Sequence, residues 1–362
     1  MVGVMSGTSA DGADAVVAEF NERDGDRPNG MRLLGCAGID YSPQLRAEIM
    51  ALNSPCDNEL ARSQELGVAL SRIYAEAALA AIRDAGLEPG DISACAVHGQ
   101  TLRHQPDKGY SLQAVSLPLL AELLGVAVIG DFRGRDLAAG GQGAPLACGF
   151  HDWYFRDRPC AVLNLGGFAN LTILYDNNPP LGFDCGPANA LLDAWAEKHL
   201  GAAYDEDGRW AAGGECQASL LARLQGHEFF LRPPPKSTGR DDFHLDWLMA
   251  QGAGDHTTQD VQATLLALST WCVAKELARF EEVKKVYACG GGVHNQALMR
   301  ELADAFDGAS LQTSDQVGAP ARWMEAIAFA WLGWRQVKGL PGNLPSVTGA
   351  CGERVLGGYY FA

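Results

Sequence analysis

The chain has 362 residues, 47% of them hydrophobic and 20% charged, which is enough for two domains or one double-lobed domain with a large core. Its 44 acidic and 28 basic side chains leave a net charge of −16, which disfavours loose attraction to DNA, RNA or anionic lipid, so any anionic ligand must be held by local donors. No apolar run approaches the roughly 20 residues of a spanning helix, and "MVGVMSGTS" lacks a charged leader and a long apolar stretch, which predicts a cytoplasmic protein.

Met1 to Met5 reads as a short apolar strand, interrupted by "SGTSADG" and resumed by "ADAVVAEF", a hairpin with a long glycine-bearing turn. Met31 to Tyr41 supplies a third strand and Pro43 to Asn53 a short helix. From Asn58 to Gly86 the apolar residues Leu66, Leu70, Ile73, Ala77 and Ala81 recur at helical spacing, which predicts a long helix closed by Gly86. A buried strand at Ile92 to Val97, a helix near Pro118 to Leu124 and a strand at Ala127 to Gly130 follow.

The second half repeats this grammar. Strands "AVLNLGG" and "ANLTILY" lead to helices at Pro187 to His199, around Gln217 to Gln225, and at Thr257 to Arg279. The strand "KKVYACGGG" runs into a glycine turn, then come helices at Asn295 to Ala305 and roughly Pro320 to Val337. Strand pairs opening each half predict two similar α/β lobes, although no residue-level repeat is visible. The one proline-rich segment, "RPPPKSTGR" (Arg232 to Arg240), is too short for a domain linker and reads as a rigid surface loop or lid.

The 10 cysteines are scattered, never paired as CxxC, and several lie in strand-like runs, which suits reduced core residues rather than disulfides or a zinc site. The 8 histidines show no metal-ligand spacing, so His98 and His104 read as structural or substrate-facing imidazoles.

Three glycine-rich turns follow strands: "SGTSADGAD" (Ser6 to Asp14), "NLGGFAN" (Asn164 to Asn170) and "CGGGVHN" (Cys289 to Asn295). Glycines let backbone amides approach a phosphate closely, and each turn taken alone serves equally well as a plain hairpin or βα connection. None fits the P-loop pattern, since Lys236 and Ser237 follow three prolines, and no strand-associated GxGxxG exists.

"GFDCGPANALLDAW" (Gly182 to Trp195) puts Asp184 in the bend between a strand and a helix. With Pro187 as the first helical residue and Gly186 as its cap, Asp184 stands upstream of any capping role. It either acts as a general base or binds loop amides. "GDFRGRDLAAGGQGAPL" (Gly130 to Leu146) gathers Arg133, Arg135, Asp131 and Asp136; the arginines either clamp a carboxylate or phosphate or pair with the aspartates. "HGQTLRHQP" (His98 to Pro106) ends a strand with hydrogen-bonding side chains, as a sugar site requires, and "RWMEAIAFAW" sets Glu325 among apolar neighbours.

In order, "MSGTSADGAD", "HGQTLRHQP", "DFRGRDLAAGGQGAPL", "NLGGFANLT", "GFDCGPANALLDAW", "PPPKSTGR", "CGGGVHNQALM" and "WMEAIAFAWL" closely resemble the anhydro-N-acetylmuramic acid kinases, from Val4 to about Gly358. The resemblance implies the α/β fold of the actin, Hsp70 and sugar kinase superfamily: two ribonuclease-H-like lobes around a central cleft. Residues 1–136 with 345–362 would form the first lobe, holding the phosphate loop and part of the sugar site, and 137–344 the second, with the catalytic aspartate and adenosine site. It also implies a double reaction, in which water opens the 1,6-anhydro bridge of anhydro-N-acetylmuramate and ATP with Mg²⁺ phosphorylates the freed O6.

By motif, Asp184 resembles the base that deprotonates the attacking water. Gly7, Thr8, Ser9, Ala10, Asp11, Gly12, Ala13 and Asp14 match the phosphate loop, with leucine common in the family where Ala10 stands. Gly166 and Gly167 match the facing phosphate turn, and Gly290, Gly291 and Gly292 the adenosine turn. Thr101, Arg135 and Glu325 fall at sugar-contact positions, the arginine suiting the lactyl carboxylate. No direct metal ligand is identified, because Met5 and Ser6 occupy the strand end where the superfamily often has an acid; Mg²⁺ is expected to be held through phosphates and water. The family likeness also implies a homodimer. The competing readings are an ordinary sugar kinase, in which Asp184 deprotonates a free hydroxyl, and an actin-like or chaperone-like nucleotide-dependent binder.

Overall fold

The computed structural model describes residues 1–7, 9–21 and 30–362; Thr8 lies outside the described residues. The chain divides into two compact units, the first made of Met1–Arg156 with Trp323–Ala362 and the second of Asp157–Arg322.

The first unit opens with an antiparallel meander of β1 (Val2–Met5), β2 (Gly12–Phe20) and β3 (Met31–Asp40). Two helices follow, α1 (Pro43–Leu52), whose N-terminus is capped by Ser42, and the long α2 (Glu59–Asp84). The chain then forms β4 (Cys95–Val97), a separate hairpin of β5 (Gln100–Gln105) and β6 (Tyr110–Ala114), α3 (Leu117–Leu124), β7 (Val128–Gly130), α4 (Gly134–Ala138) and α5 (Ala147–Tyr154).

The second unit has its own meander of β8 (Cys160–Leu165), β9 (Phe168–Leu174) and β10 (Leu181–Pro187). Helices α6 (Asn189–Leu200), α7 (Arg209–Ala212), α8 (Ala218–Gln225), α9 (Leu245–Ala250) and α10 (Thr258–Leu277) follow, then β11 (Lys285–Cys289), α11 (Gln296–Ala305) and β12 (Ser310–Thr313). The chain returns to the first unit as α12 (Met324–Val337), α13 (Pro345–Thr348) and β13 (Gly358–Tyr360).

The two sheets share one plan. The second unit's strands run in the order β10-β9-β8-β11-β12, and the first unit's run β3-β2-β1-β4-β7, with β13 added beyond β7. In both, the first strand of the meander pairs parallel with the next strand in sequence, β1 with β4 and β8 with β11. The expected repeat is therefore real at the level of topology, where sequence identity between the halves is absent.

Helices cover both faces of the first unit's sheet, which explains why β2 is buried along nearly its whole length. Val2 and Val4 join the core that includes Leu70, Tyr74 and Ala78 of α2. Gly3, between them, faces α12, and a Cβ there would lie 2.1 Å from the Ala326 carbonyl oxygen, so only glycine permits this approach. In the second unit Leu163, Leu171 and Phe183 of the sheet pack in one core with Leu265, Leu268 and Cys272 of α10.

Four expectations change. The expected boundaries at 136 and 344 fall instead after Arg156 and Arg322, because α12 packs on the first unit's sheet and α5 packs on α12, with the Phe150 and Trp331 rings 6.2 Å apart. Glu325 thus belongs to the first unit. "GFDCGP" is a third meander strand rather than a bend: Pro187 is its last residue, tolerated because β10 is an outer strand, and α6 begins at Asn189 with Ala188 as its cap. "QTLRHQ" and "YSLQA" form the β5–β6 hairpin, turned through Gly109 at φ 76°, where only an unspecified strand end was expected.

Candidate active site

In the first unit the turn after β1 is tied down by side chains. The Tyr41 hydroxyl donates to Ser6 Oγ at 2.8 Å, and Ser6 Oγ in turn lies 2.6 Å from Gln100 Oε1 and 3.0 Å from the Gly12 carbonyl, its one proton serving one of the two. Gln100 Nε2 donates to the Gly7 carbonyl at 3.2 Å, linking the start of β5 to the turn. Ala10 has φ 52° and its amide returns to the Gly7 carbonyl at 3.2 Å. Ala10 and Ala13 are fully buried in the core, whereas Asp11 is exposed and Ser9 partly so. Gly12 has a structural reason of its own, since a Cβ would lie 2.6 Å from the Ile39 carbonyl oxygen of β3. Asp14 lies in β2 between Met5 and Gly38.

A second group in this unit centres on Arg133. Its Nε donates to His98 Nε2 at 3.1 Å and its Nη1 to the Gly143 carbonyl at 2.6 Å. Accepting at Nε2 requires a neutral His98 protonated on Nδ1, and burial together with the neighbouring guanidinium holds its pKa well below the usual imidazole value. Burial pulls Arg133 down to about 10 against the opposing Glu325 and Asp136 carboxylates, so the side chain stays charged at neutral pH. The glycine run is folded around Asp136, fully buried, which accepts from Asn343 Nδ2 (2.7 Å), Thr348 Oγ1 (2.8 Å) and the Gly143 amide (2.8 Å). Asp136 is thus occupied by the C-terminal segment rather than by either arginine.

Among the expected sugar contacts, Glu325 is half-buried in the first turn of α12 and acts on Arg133. Thr101 Oγ1 accepts from Gln113 Nε2 at 3.2 Å, and Gln113 also donates to Ser111 Oγ, itself 3.0 Å from His104 Nδ1. Arg135 is exposed on α4. The arginine that turns inward is Arg133, just before α4, whereas Arg135 within α4 is exposed; "DFRGRD" displays both without distinguishing them.

In the second unit Asp184 lies on the outermost strand, at a β-bulge between Asp184 and Gly186 in the pairing with β9. Its amide donates to the Lys236 carbonyl at 2.9 Å, and its Oδ2 accepts from the Thr238 amide at 3.0 Å. The side chain keeps some exposure, yet its surroundings are mostly protein, and burial raises its pKa to about 6 against the lowering effects of the Thr238 amide and the Lys236 ammonium. The loop-amide alternative is thus met directly, and the raised proton affinity is of the kind that lets a carboxylate exchange protons near neutrality.

The unit's two glycine turns meet at the start of α6. The Asn189 side-chain amide donates to the Leu165 (3.1 Å) and Gly166 (2.7 Å) carbonyls, and the Ala188 and Ala190 amides donate to the Gly167 carbonyl at 3.0 and 2.9 Å. Gly290 has φ 83° and packs against Asn164 and Leu165, and a Cβ on Gly292 would lie 2.7 Å from Leu165 Cβ. By contrast a Cβ on Gly291 would meet nothing, and one on Gly166 only the Phe168 carbonyl at 3.6 Å, so at these two positions the backbone is open to a ligand.

All ten cysteines are free, and no cluster of three or more His, Cys, Asp or Glu able to hold a metal occurs among the described residues. No described helix is long and apolar enough to cross a membrane.

Two units sharing one meander-first sheet order, with glycine turns at the strand ends, define an α/β fold of the actin, Hsp70 and sugar kinase type. The sequence model of the anhydro-N-acetylmuramic acid kinases matches residues 1–362, and the chain belongs to that family. It is 45% identical over 364 residues to an anhydro-N-acetylmuramic acid kinase of Nitrosospira multiformis, covering 99% of this chain and 98% of the relative. It is 49% identical over 366 residues to one of Bordetella pertussis, covering 99% and 95%. Among solved structures it is similar to the activator of the 2-hydroxyisocaproyl-CoA dehydratase from Clostridium difficile with bound ADPNP, at 13% identity and TM-score 0.46, covering 93% of this chain and 97% of that one.

Proposed function

We propose that this chain is a kinase that opens the 1,6-anhydro ring of 1,6-anhydro-N-acetylmuramic acid with water and moves the γ-phosphoryl group of ATP to the freed O6. The product is N-acetylmuramic acid 6-phosphate, an intermediate suited to cell-wall recycling in the cytoplasm. Asp184 takes a proton from the attacking water as its oxygen bonds C1; the C1–O6 bond breaks, and O6 leaves with the electron pair that then attacks the γ-phosphorus. ADP departs, and Asp184 later releases its proton to solvent. Splitting the work this way leaves the phosphoryl step needing mainly alignment and charge neutralisation.

The observation that carries the reading is the Asp184 carboxylate, partly exposed at a bulge and raised to about 6. The phosphate loop from Gly7 to Asp14 is assigned to ATP, with Gly166 and Gly167 toward the phosphates and Gly290 to Gly292 toward the adenosine; the open backbone at Gly166 and Gly291 supports this. Thr101 and Glu325 are assigned to the sugar. The lactyl carboxylate is assigned to Arg133 alongside Arg135, because Arg133 already stands against Glu325 and His98. Mg²⁺ is assigned to the ATP phosphates and water. Family likeness supports a homodimer.

The test is Asp184→Asn. Calorimetry is expected to give unchanged ATP affinity while phosphorylated sugar disappears; normal turnover in that variant removes Asp184 from the base role.

A further inference from the structure

The segment "RPPPKSTGR" has no part in the reaction as described, yet it carries the least expected side chain of the second unit. Lys236 is only 7% exposed and its partner Glu276, on α10, is 0% exposed. Lys236 Nζ lies 2.8 Å from Glu276 Oε1, 3.4 Å from the Phe229 carbonyl and 4.4 Å from the centre of the Phe229 ring. Arg279 Nε approaches the other Glu276 oxygen at 3.1 Å from the solvent side.

A buried ion pair is a poor device for stability. Each charge loses its hydration on burial, and well-packed apolar residues often do as well or better. What such a pair does provide is position, since the ammonium reaches Glu276 and the Phe229 carbonyl together from very few backbone placements. The backbone so placed is the one that touches Asp184. The Lys236 carbonyl accepts from the Asp184 amide at 2.9 Å, and two residues on the Thr238 amide donates to Asp184 Oδ2 at 3.0 Å. The loop thereby acts as a short extra edge on β10, the outermost strand, which has no neighbour in the sheet on that side. Thr238 is held in turn, its hydroxyl donating to Asp242 Oδ2 at 2.6 Å.

We propose that Lys236 is a positioning residue for the reaction: its buried pair with Glu276 seats the 232–240 loop so that the Thr238 amide fixes the Asp184 carboxylate in one orientation. This rests on the reading of Asp184 as the base. The groups that face Asp184 are the Thr238 amide and the Lys236 ammonium, with Cys185 beside it in the strand; Asp242 stands behind Thr238, and Glu276 and Arg279 stand behind Lys236. Loss of the Lys236 ammonium and release of the Thr238 amide remove both groups that favour the ionised carboxylate.

The experiment compares Lys236→Met and the double variant Lys236→Met/Glu276→Leu with the parent protein. In the single variant Arg279 still faces Glu276, and in the double neither charge remains. The expected result is a fall in kcat of about tenfold or more with KM for ATP held within about twofold. The acidic midpoint of the kcat/KM profile should also move upward by about half a unit or more. A folded variant with unchanged kcat and unchanged midpoint overturns the proposal. So does a lowered thermal midpoint with an unshifted profile, which makes the pair structural, and so does failure of both variants to fold. Asp184→Asn run in parallel separates the two ideas: turnover in that variant defeats the base assignment itself, whatever Lys236 does.

Discussion

Arg133 Nε donates to His98 Nε2 across 3.1 Å, and this one contact fixes both a tautomer and the direction of a guanidinium. His98 is 4% exposed and its ring lies 4.7 Å from that of Phe329, so the imidazole is clamped and the arginine inherits its rigidity. Nε and Nη1 are committed to His98 and Gly143, and the Glu325 and Asp136 carboxylates oppose the same guanidinium.

Arg133→Ala is expected to raise KM for the sugar by about tenfold or more, since a charge-assisted contact of 1.5–3 kcal/mol is lost, with KM for ATP little changed. Arg135→Ala, which removes an exposed side chain, is expected to cost less than about threefold. Steady-state kinetics with each substrate varied decides it; the larger loss at Arg135 assigns the lactyl carboxylate there.

The kcat/KM profile is expected to fall on the acid side with a midpoint near the pKa of about 6 given to Asp184 by its burial. The sign for stability is opposite. A carboxyl whose folded pKa exceeds its unfolded value binds its proton more tightly when folded, so stability declines as pH rises through about 4 to 6 and the cost persists above. Asp184→Asn should therefore stabilise the chain at pH 8 by about 1 kcal/mol after discounting for partial exposure, seen as a raised thermal midpoint, and change the midpoint little at pH 4. Equal midpoints at both values would contradict the raised pKa.

Asp136→Ala strands three donors, those of Asn343, Thr348 and Gly143, in a fully buried place. The expected loss is about 3 kcal/mol or more by urea unfolding of the intact chain, at the large end of single-residue effects. Asp136→Asn retains acceptor capacity on one oxygen and is expected to lose less. A loss below about 1 kcal/mol in the alanine variant would mean that the glycine run is not organised by this carboxylate.

Gly290→Ala forces a Cβ to within 2.4 Å of Asn164 Oδ1 at a φ of 83°, where alanine is strained whatever the space. The expected cost is about 2–4 kcal/mol in stability, with weaker ATP binding in whatever fraction folds. Gly291→Ala, whose Cβ meets no protein atom, should leave stability nearly unchanged and report on the nucleotide alone. Equal stability in the two variants would contradict the packing described for this turn.

The sequence makes the elements legible where hydrophobic period and punctuation agree: α2 lies between the expected Asn58 and Gly86, and α10 and α11 begin one residue after the expected starts, Thr257 and Asn295, which the structure makes their caps. It misleads at "GFDCGP". A proline before "ANALLDAW" has the pattern of a helix start, but Pro187 lies on an outer strand, and outerness is a property of the sheet order. The unit boundaries hide for a similar reason, because α12 follows the second unit in sequence and packs on the first. At the site, Asp184 and the glycine turns are visible as motifs. Arg133 over Arg135 and the Lys236–Glu276 pair are not, because each depends on contacts across 35 and 40 positions of chain.

The central claim is that water, activated by Asp184, opens the anhydro ring as the freed O6 takes the phosphoryl group. Turnover in ¹⁸O-enriched water, stopped within the first few cycles and analysed by mass spectrometry, tests it most directly. The account predicts one heavy oxygen at the C1 hydroxyl and none in the phosphate ester. Phosphorylated product with unlabelled C1, or with label carried in the phosphate, would contradict it.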